Sequence, residues 1–85
     1  MAIRLLLLET AGCHLCEQAQ AIANQCRLEI PHLFIEDIDI ADSEEWQAHY
    51  AIRIPVLYHP ETETDLSWPF GLAEAKAFIE ALRHD

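Results

Sequence analysis

Eighty-five residues, 52% hydrophobic and 24% charged, suffice for one domain around a modest core and exclude a disordered or fibrous chain. Fifteen acidic against five basic residues give a net charge of -10, which repels phosphate backbones and anionic lipid and so excludes nucleic-acid and membrane-surface roles. Three cysteines, an odd number, argue against a secreted disulfide scaffold.

Ile3 to Leu8 is a continuous apolar run, which predicts a central strand covered on both faces. The run is far shorter than the roughly 18 residues of a transmembrane helix. Glu9 follows it, and neither a basic n-region nor a small-residue cleavage site surrounds it. These features place the chain in a reducing cytoplasm. Gly12 then lets the backbone turn into Cys13-His14-Leu15-Cys16. Leu15, Ala19, Ile22, Ala23 and Cys26 recur at helical spacing, so a helix is expected over Leu15 to Cys26. Pro31 ends that pattern.

Leu33 to Ile40 reads as a second strand, with Glu36, Asp37 and Asp39 interrupting its alternation. Asp42 or Ser43 can cap a short helix that carries Glu44 and Glu45 in its first turn and Trp46 and Tyr50 on one face. Pro55 to His59 is a third strand, His59 to Glu63 a polar turn and Thr64 to Trp68 a fourth strand, paired as an antiparallel hairpin. Pro69 opens the last helix, whose core stripe is Leu72, Ala75, Phe78, Ile79 and Leu82. The order βαβαββα predicts an α/β fold with one four-stranded mixed sheet flanked by helices. A single domain covers residues 1–85.

The Cys13-x-x-Cys16 spacing matters because of its place. A strand that delivers two cysteines to the first turn of a helix makes a redox-active dithiol. The unpaired N–H groups and partial positive charge of a helix N-terminus stabilise a thiolate, and the thiolate is the form that attacks a disulfide.

Gly12-Cys13-His14-Leu15-Cys16 after the first strand, and Arg53-Ile54-Pro55-Val56-Leu57 at the third, give the chain its likeness to a family. It resembles the thioredoxin-fold superfamily, and most closely its small glutaredoxin-like proteins. Trp68-Pro69-Phe70 is similar to an uncharacterised branch of that group. The resemblance implies a thioredoxin-like fold over the whole chain and a role in electron transfer and redox homeostasis. It also implies a cis Ile54-Pro55 bond beside the dithiol. Two departures stand out. Glu9, Thr10 and Ala11 occupy the place where glutaredoxins carry a basic residue. Leu66-Ser67-Trp68-Pro69-Phe70-Gly71 stands where they carry the Gly-Gly and Ser/Thr-Asp step that binds glutathione.

On this reading Cys13 is the catalytic nucleophile and Cys16 resolves the mixed disulfide, leaving a redox-active Cys13-Cys16 disulfide. His14, when protonated, would favour the Cys13 thiolate. Glu9 is either a proton acceptor for Cys16 or a surface carboxylate. Ile54 and Pro55 would dock an extended substrate through the Ile54 carbonyl and N–H. Trp68 lines the rim of the site or packs in the core. Cys26 reads as a small buried hydrophobe.

No cofactor and no metal are required. The expected partners are a protein disulfide or low-molecular-weight thiol substrate and a recycling reductase, acting on a monomer. The acidic surface serves solubility, or steers the chain towards a basic partner. Three alternatives stay open: a glutathione-dependent glutaredoxin, an iron–sulfur-cluster-binding relative, and a redox-inactive partner-binding module. Cys13, Cys16, Cys26 and His32 also have the spacing of a zinc site. A helix would hold Cys16 and Cys26 about 15 Å apart, too far for one ion.

Overall fold

The computed structural model describes residues 2–82. Its elements are β1 (Ile3–Glu9), α1 (His14–Glu29), β2 (Leu33–Asp39), a 3-10 turn (Ile40–Asp42), α2 (Glu44–Tyr50), β3 (Val56–His59), β4 (Thr64–Ser67) and α3 (Leu72–Leu82). The strands form one four-stranded sheet in the order β2-β1-β3-β4. β1 runs parallel to β2, across the α1 crossover, and antiparallel to β3, while β3 and β4 form an antiparallel hairpin. The α/β thioredoxin-like arrangement expected from the sequence is met.

Side chains alternate across a strand, so the leucine run of β1 serves two cores. Ile3, Leu5 and Leu7 join Ala19, Ala23 and Cys26 of α1 and Ala75 and Ile79 of α3. Leu6 and Leu8 join Ile40, Tyr50 and Val56 on the opposite face. Leu5, Leu7 and Leu8 are wholly buried, each contributing about 2 kcal/mol of transfer free energy. Small residues on the inner face of α1 let the helix lie close to the sheet. Lys76 of α3 reaches Glu29 of α1 at 2.6 Å.

Several boundaries depart from the sequence reading. The buried stripe of α1 is Cys16, Ala19, Ala23 and Cys26. Leu15, expected on that stripe, is 42% exposed, because the inward line of the helix runs through Cys16, Ala19, Ala23 and Cys26 and Leu15 lies on its flank in the first turn. β2 ends at Asp39, whose carboxylate accepts the Ala41 N–H and starts the 3-10 turn. α2 is capped by Ser43, whose Oγ accepts the Trp46 N–H at 3.2 Å.

The last helix does not open at Pro69. β4 ends at Ser67, the Trp68-Pro69 bond is cis, and α3 begins at Leu72. Gly71 is the cap: its carbonyl accepts the Ala75 N–H at 3.0 Å, and its own N–H goes to Glu74 Oε1 at 2.9 Å. A glutamate three residues after the cap is half of a capping box, and it overrides the start signal of the proline.

Candidate functional site

β1 ends at Glu9, and the chain turns at Gly12, whose φ is +75°. A Cβ on Gly12 would meet nothing within 4 Å, so the glycine is required by backbone conformation and not by space. The turn places Cys13 as the N-cap of α1, with extended φ and ψ of -85° and 107°. Its Sγ accepts the Cys16 backbone N–H at 3.1 Å. A sulfur that takes one of the orphan donors of a helix start is stabilised as a thiolate when reduced.

Cys13 and Cys16 are joined as a disulfide with a Cα–Cα separation of 5.2 Å. The two halves differ in access. Cys13 is half-buried, and Cys16 is 2% exposed. A reagent therefore meets Cys13 first.

The disulfide opens on a shallow groove of about 400 Å³, lined by Glu9, His14, Glu17 and Gln20 together with the 10–12 turn. Gln20 stands four residues after Cys16, on the same side of α1. It donates from Nε2 to Glu9 Oε2 at 2.8 Å, which ties the end of β1 to the helix. Burial pushes the Glu9 carboxyl above its ordinary range, Asp37 and Asp39 add to that, and the Gln20 bond partly opposes it. His14 is exposed and has Nδ1 3.4 Å from Glu17 Oε2, so its charge, when present, is shared with a carboxylate.

The residues expected to dock a substrate form a second group. The Ile54-Pro55 bond is cis, the isomer the resemblance implied. Pro55 is buried, and Ile54 is half-buried against the Leu6–Leu8 core. The Ile54 N–H, expected to pair with a substrate chain, is already donated to the Tyr50 carbonyl at 3.1 Å. Trp68 donates its backbone N–H to the Pro55 carbonyl at 3.0 Å. Its ring packs on the main core and meets Phe70 edge-on at 5.1 Å. Ile54, Pro55 and Trp68 are thus held together, yet none of them lines the groove over the disulfide.

Cys26 is buried in the main core, and burial raises its thiol pKa, with Glu29 adding to the effect. Among the described residues no set of three or more His, Cys, Asp or Glu side chains converges on a metal-sized site. No described helix is long and apolar enough to cross a membrane.

Glu17 and Gln20 were not legible as site residues. The helical spacing from Cys16 could have found Gln20.

The chain matches a family model and solved structures. A family model described as a glutaredoxin-like domain (DUF836) covers residues 4–80. The X-ray structure of target protein XcR50 from X. campestris is 31% identical, with 91% of this chain and 96% of that chain covered and a TM-score of 0.76. Its solution structure is 32% identical, covers 95% of each chain and has a TM-score of 0.73. Protein Ne2328 from Nitrosomonas europaea, solved by NMR, is 24% identical over 92% of each chain with a TM-score of 0.76, a likeness of fold. None of the curated proteins compared matches the chain. The fold, the paired cysteines and these likenesses together fit a thiol redox role.

Proposed function

The chain belongs to the glutaredoxin-like domain family, and on that premise we propose that it is a thiol–disulfide oxidoreductase acting on protein disulfides. The observation that carries this reading is the Cys16 N–H on Cys13 Sγ at the start of α1, with Cys13 reachable and Cys16 buried. That asymmetry supports Cys13 as the attacking and Cys16 as the resolving cysteine.

In the reduced protein the Cys13 thiolate attacks one sulfur of a substrate disulfide. A Cys13–substrate bond forms, and the other substrate half leaves as a thiolate. Cys16 then loses its proton and attacks Cys13 Sγ. The Cys13-Cys16 bond forms as the second substrate thiolate is expelled. Two electrons pass from the protein to the substrate, and a thiol reductant returns them. Such recycling suits a reducing compartment. Glu9 lines the same groove as both cysteines, and its raised pKa suits a group that accepts the Cys16 proton. Ile54, Pro55 and Trp68 support the loop at the start of β3, with the Ile54 N–H committed to Tyr50.

The test is disulfide reduction by purified protein with dithiothreitol as the terminal reductant, for example on insulin. Cys13→Ser should lose catalysed reduction entirely. Cys16→Ser should accumulate a mixed disulfide with substrate, visible by mass spectrometry. Full activity in Cys13→Ser would refute the assignment.

A further inference from the structure

The groove over the disulfide is acidic. Glu9 and Glu17 line it beside Cys13 and Cys16. A second depression shares Glu9, Thr10 and Ala11 and continues to Asp37 and Asp39. The register explains this: β1 and β2 are parallel, with Leu7 opposite Asp37 and Glu9 opposite Asp39. Paired residues of adjacent strands share a face of the sheet, so three carboxylates gather at one end of it. Asp37 and Asp39 both raise the Glu9 pKa, which places their charges within reach of it.

Among the described residues no lysine or arginine lines either depression. The cations of the described residues are committed elsewhere. Arg4 pairs with Glu36, Arg53 with Asp65 and Lys76 with Glu29, and Arg27 bonds Asn24 and the Ile35 carbonyl. His14 is the one basic group in the lining, and it faces Glu17. The carboxylates matter because the reacting disulfide lies among them. A substrate that reaches Cys13 through this groove passes beside Glu9 and Glu17.

We infer that this groove selects disulfides flanked by cationic groups, an amine or guanidinium next to the reacting sulfur, and disfavours anionic ones. The inference rests on the reading of Cys13-Cys16 as an exchange centre. The exchange itself is as above: the Cys13 thiolate bonds to one sulfur as the other half leaves as a cation-bearing thiolate, and the Cys16 thiolate then attacks Cys13 Sγ, breaking the mixed disulfide, expelling the second half as a thiolate and closing the protein disulfide. An ammonium on the substrate offsets the carboxylates and stabilises the Cys13 thiolate during the approach. Glu9, Glu17, Asp37 and Asp39 are then specificity residues.

Three small disulfides separate this from the underlying reading: cystamine (cationic), 2-hydroxyethyl disulfide (neutral) and 3,3′-dithiodipropionate (anionic). Oxidation of the pre-reduced protein is timed with each, and each rate is divided by that of dithiothreitol with the same disulfide, which removes intrinsic reactivity. At low ionic strength the normalised order should be cationic, neutral, anionic, with about tenfold or more between the ends. The spread should shrink as salt is added. Glu17→Gln and Asp37→Asn should narrow it, while Glu45→Gln on α2, away from the groove, should not.

No oxidation by the neutral disulfide would refute the exchange reading itself. Oxidation by all three at equal normalised rates would overturn the selectivity alone. An equal narrowing by Glu45→Gln would also overturn it, since net charge and not the groove would then be responsible. Peptide disulfides flanked by lysines or by glutamates identify the source of the cation. A lysine-flanked peptide faster than cystamine points to a basic protein segment, the reverse to a small amine disulfide, and a faster glutamate-flanked peptide contradicts the inference.

Discussion

Arg53 Nη2 meets Asp65 Oδ1 at 2.5 Å, and the other oxygen of that carboxylate accepts the Tyr50 hydroxyl at 3.1 Å. Arg53 also donates from Nε to Ser67 Oγ at 2.9 Å, and its guanidinium lies 4.8 Å from the centre of the Tyr50 ring. A single side chain thus ties α2 to β4 one residue before Ile54-Pro55.

Asp65→Ala removes the acceptor from both the Tyr50 hydroxyl and Arg53. The Tyr50 side chain is largely buried, so the loss should cost about 1–3 kcal/mol of stability in urea unfolding. The ion pair itself is partly screened, since the Arg53 side chain is 40% exposed, and adds less. Asp65→Asn keeps an acceptor and should fall between the variant and the parent. Equal stability of all three would show that the network contributes nothing.

Alkylation should follow access and helix position. In reduced native protein iodoacetamide is expected to label Cys13 first and Cys16 much later, because Cys16 is 2% exposed. Cys26 is buried and its thiol pKa is raised, so it should react only on unfolding. Peptide mapping of a timed reaction reads this directly, and early labelling of Cys26 would contradict the packing described.

Glu9 has a folded pKa above the ordinary 4.5, with burial as the main cause. The folded state therefore holds this proton more tightly than the unfolded chain does. Stability from Glu9 is fully present below the unfolded value of 4.5 and is lost as pH rises through the folded pKa above it. Glu9→Gln should raise Tm at pH 7 and lose that advantage below about pH 4.5. If Glu9 also takes the Cys16 proton, the variant should slow release of the Cys16→Ser-sensitive mixed disulfide while leaving its formation fast. A Tm unchanged at both pH values would remove the account of Glu9.

Gly12→Ala tests the turn. Nothing would touch the added methyl, yet φ of +75° is unfavourable for any residue with a Cβ. A loss of about 1 kcal/mol is expected by denaturant titration. No loss would mean that the turn adapts.

Much of this was legible in advance, for physical reasons. The Ile3–Leu8 run has too many leucines for one face, and only a strand buried on both sides accommodates it. The Cys13-x-x-Cys16 motif after a glycine could be read because capping and turning are local. What was not legible depends on partners distant in sequence. Leu15 looked like part of the helix stripe, but the packed line against the sheet passes through Cys16 and leaves Leu15 on its flank. Pro69 carried a start signal that the Gly71–Glu74 capping contact overrides. The Ile54 N–H looked available until α2 was seen to end against it at Tyr50. The convergence of Glu9 with Asp37 and Asp39 requires the β1–β2 register, which the imperfect alternation of β2 did not reveal.

The most direct test of the central claim is a redox titration of the Cys13-Cys16 pair. Protein is equilibrated in graded mixtures of reduced and oxidised dithiothreitol or glutathione, and free thiols are trapped and counted. The account expects one two-electron transition in which two thiols appear together while Cys26 stays reduced, and its absence in Cys13→Ser. Two thiols that stay free across the whole range would contradict it.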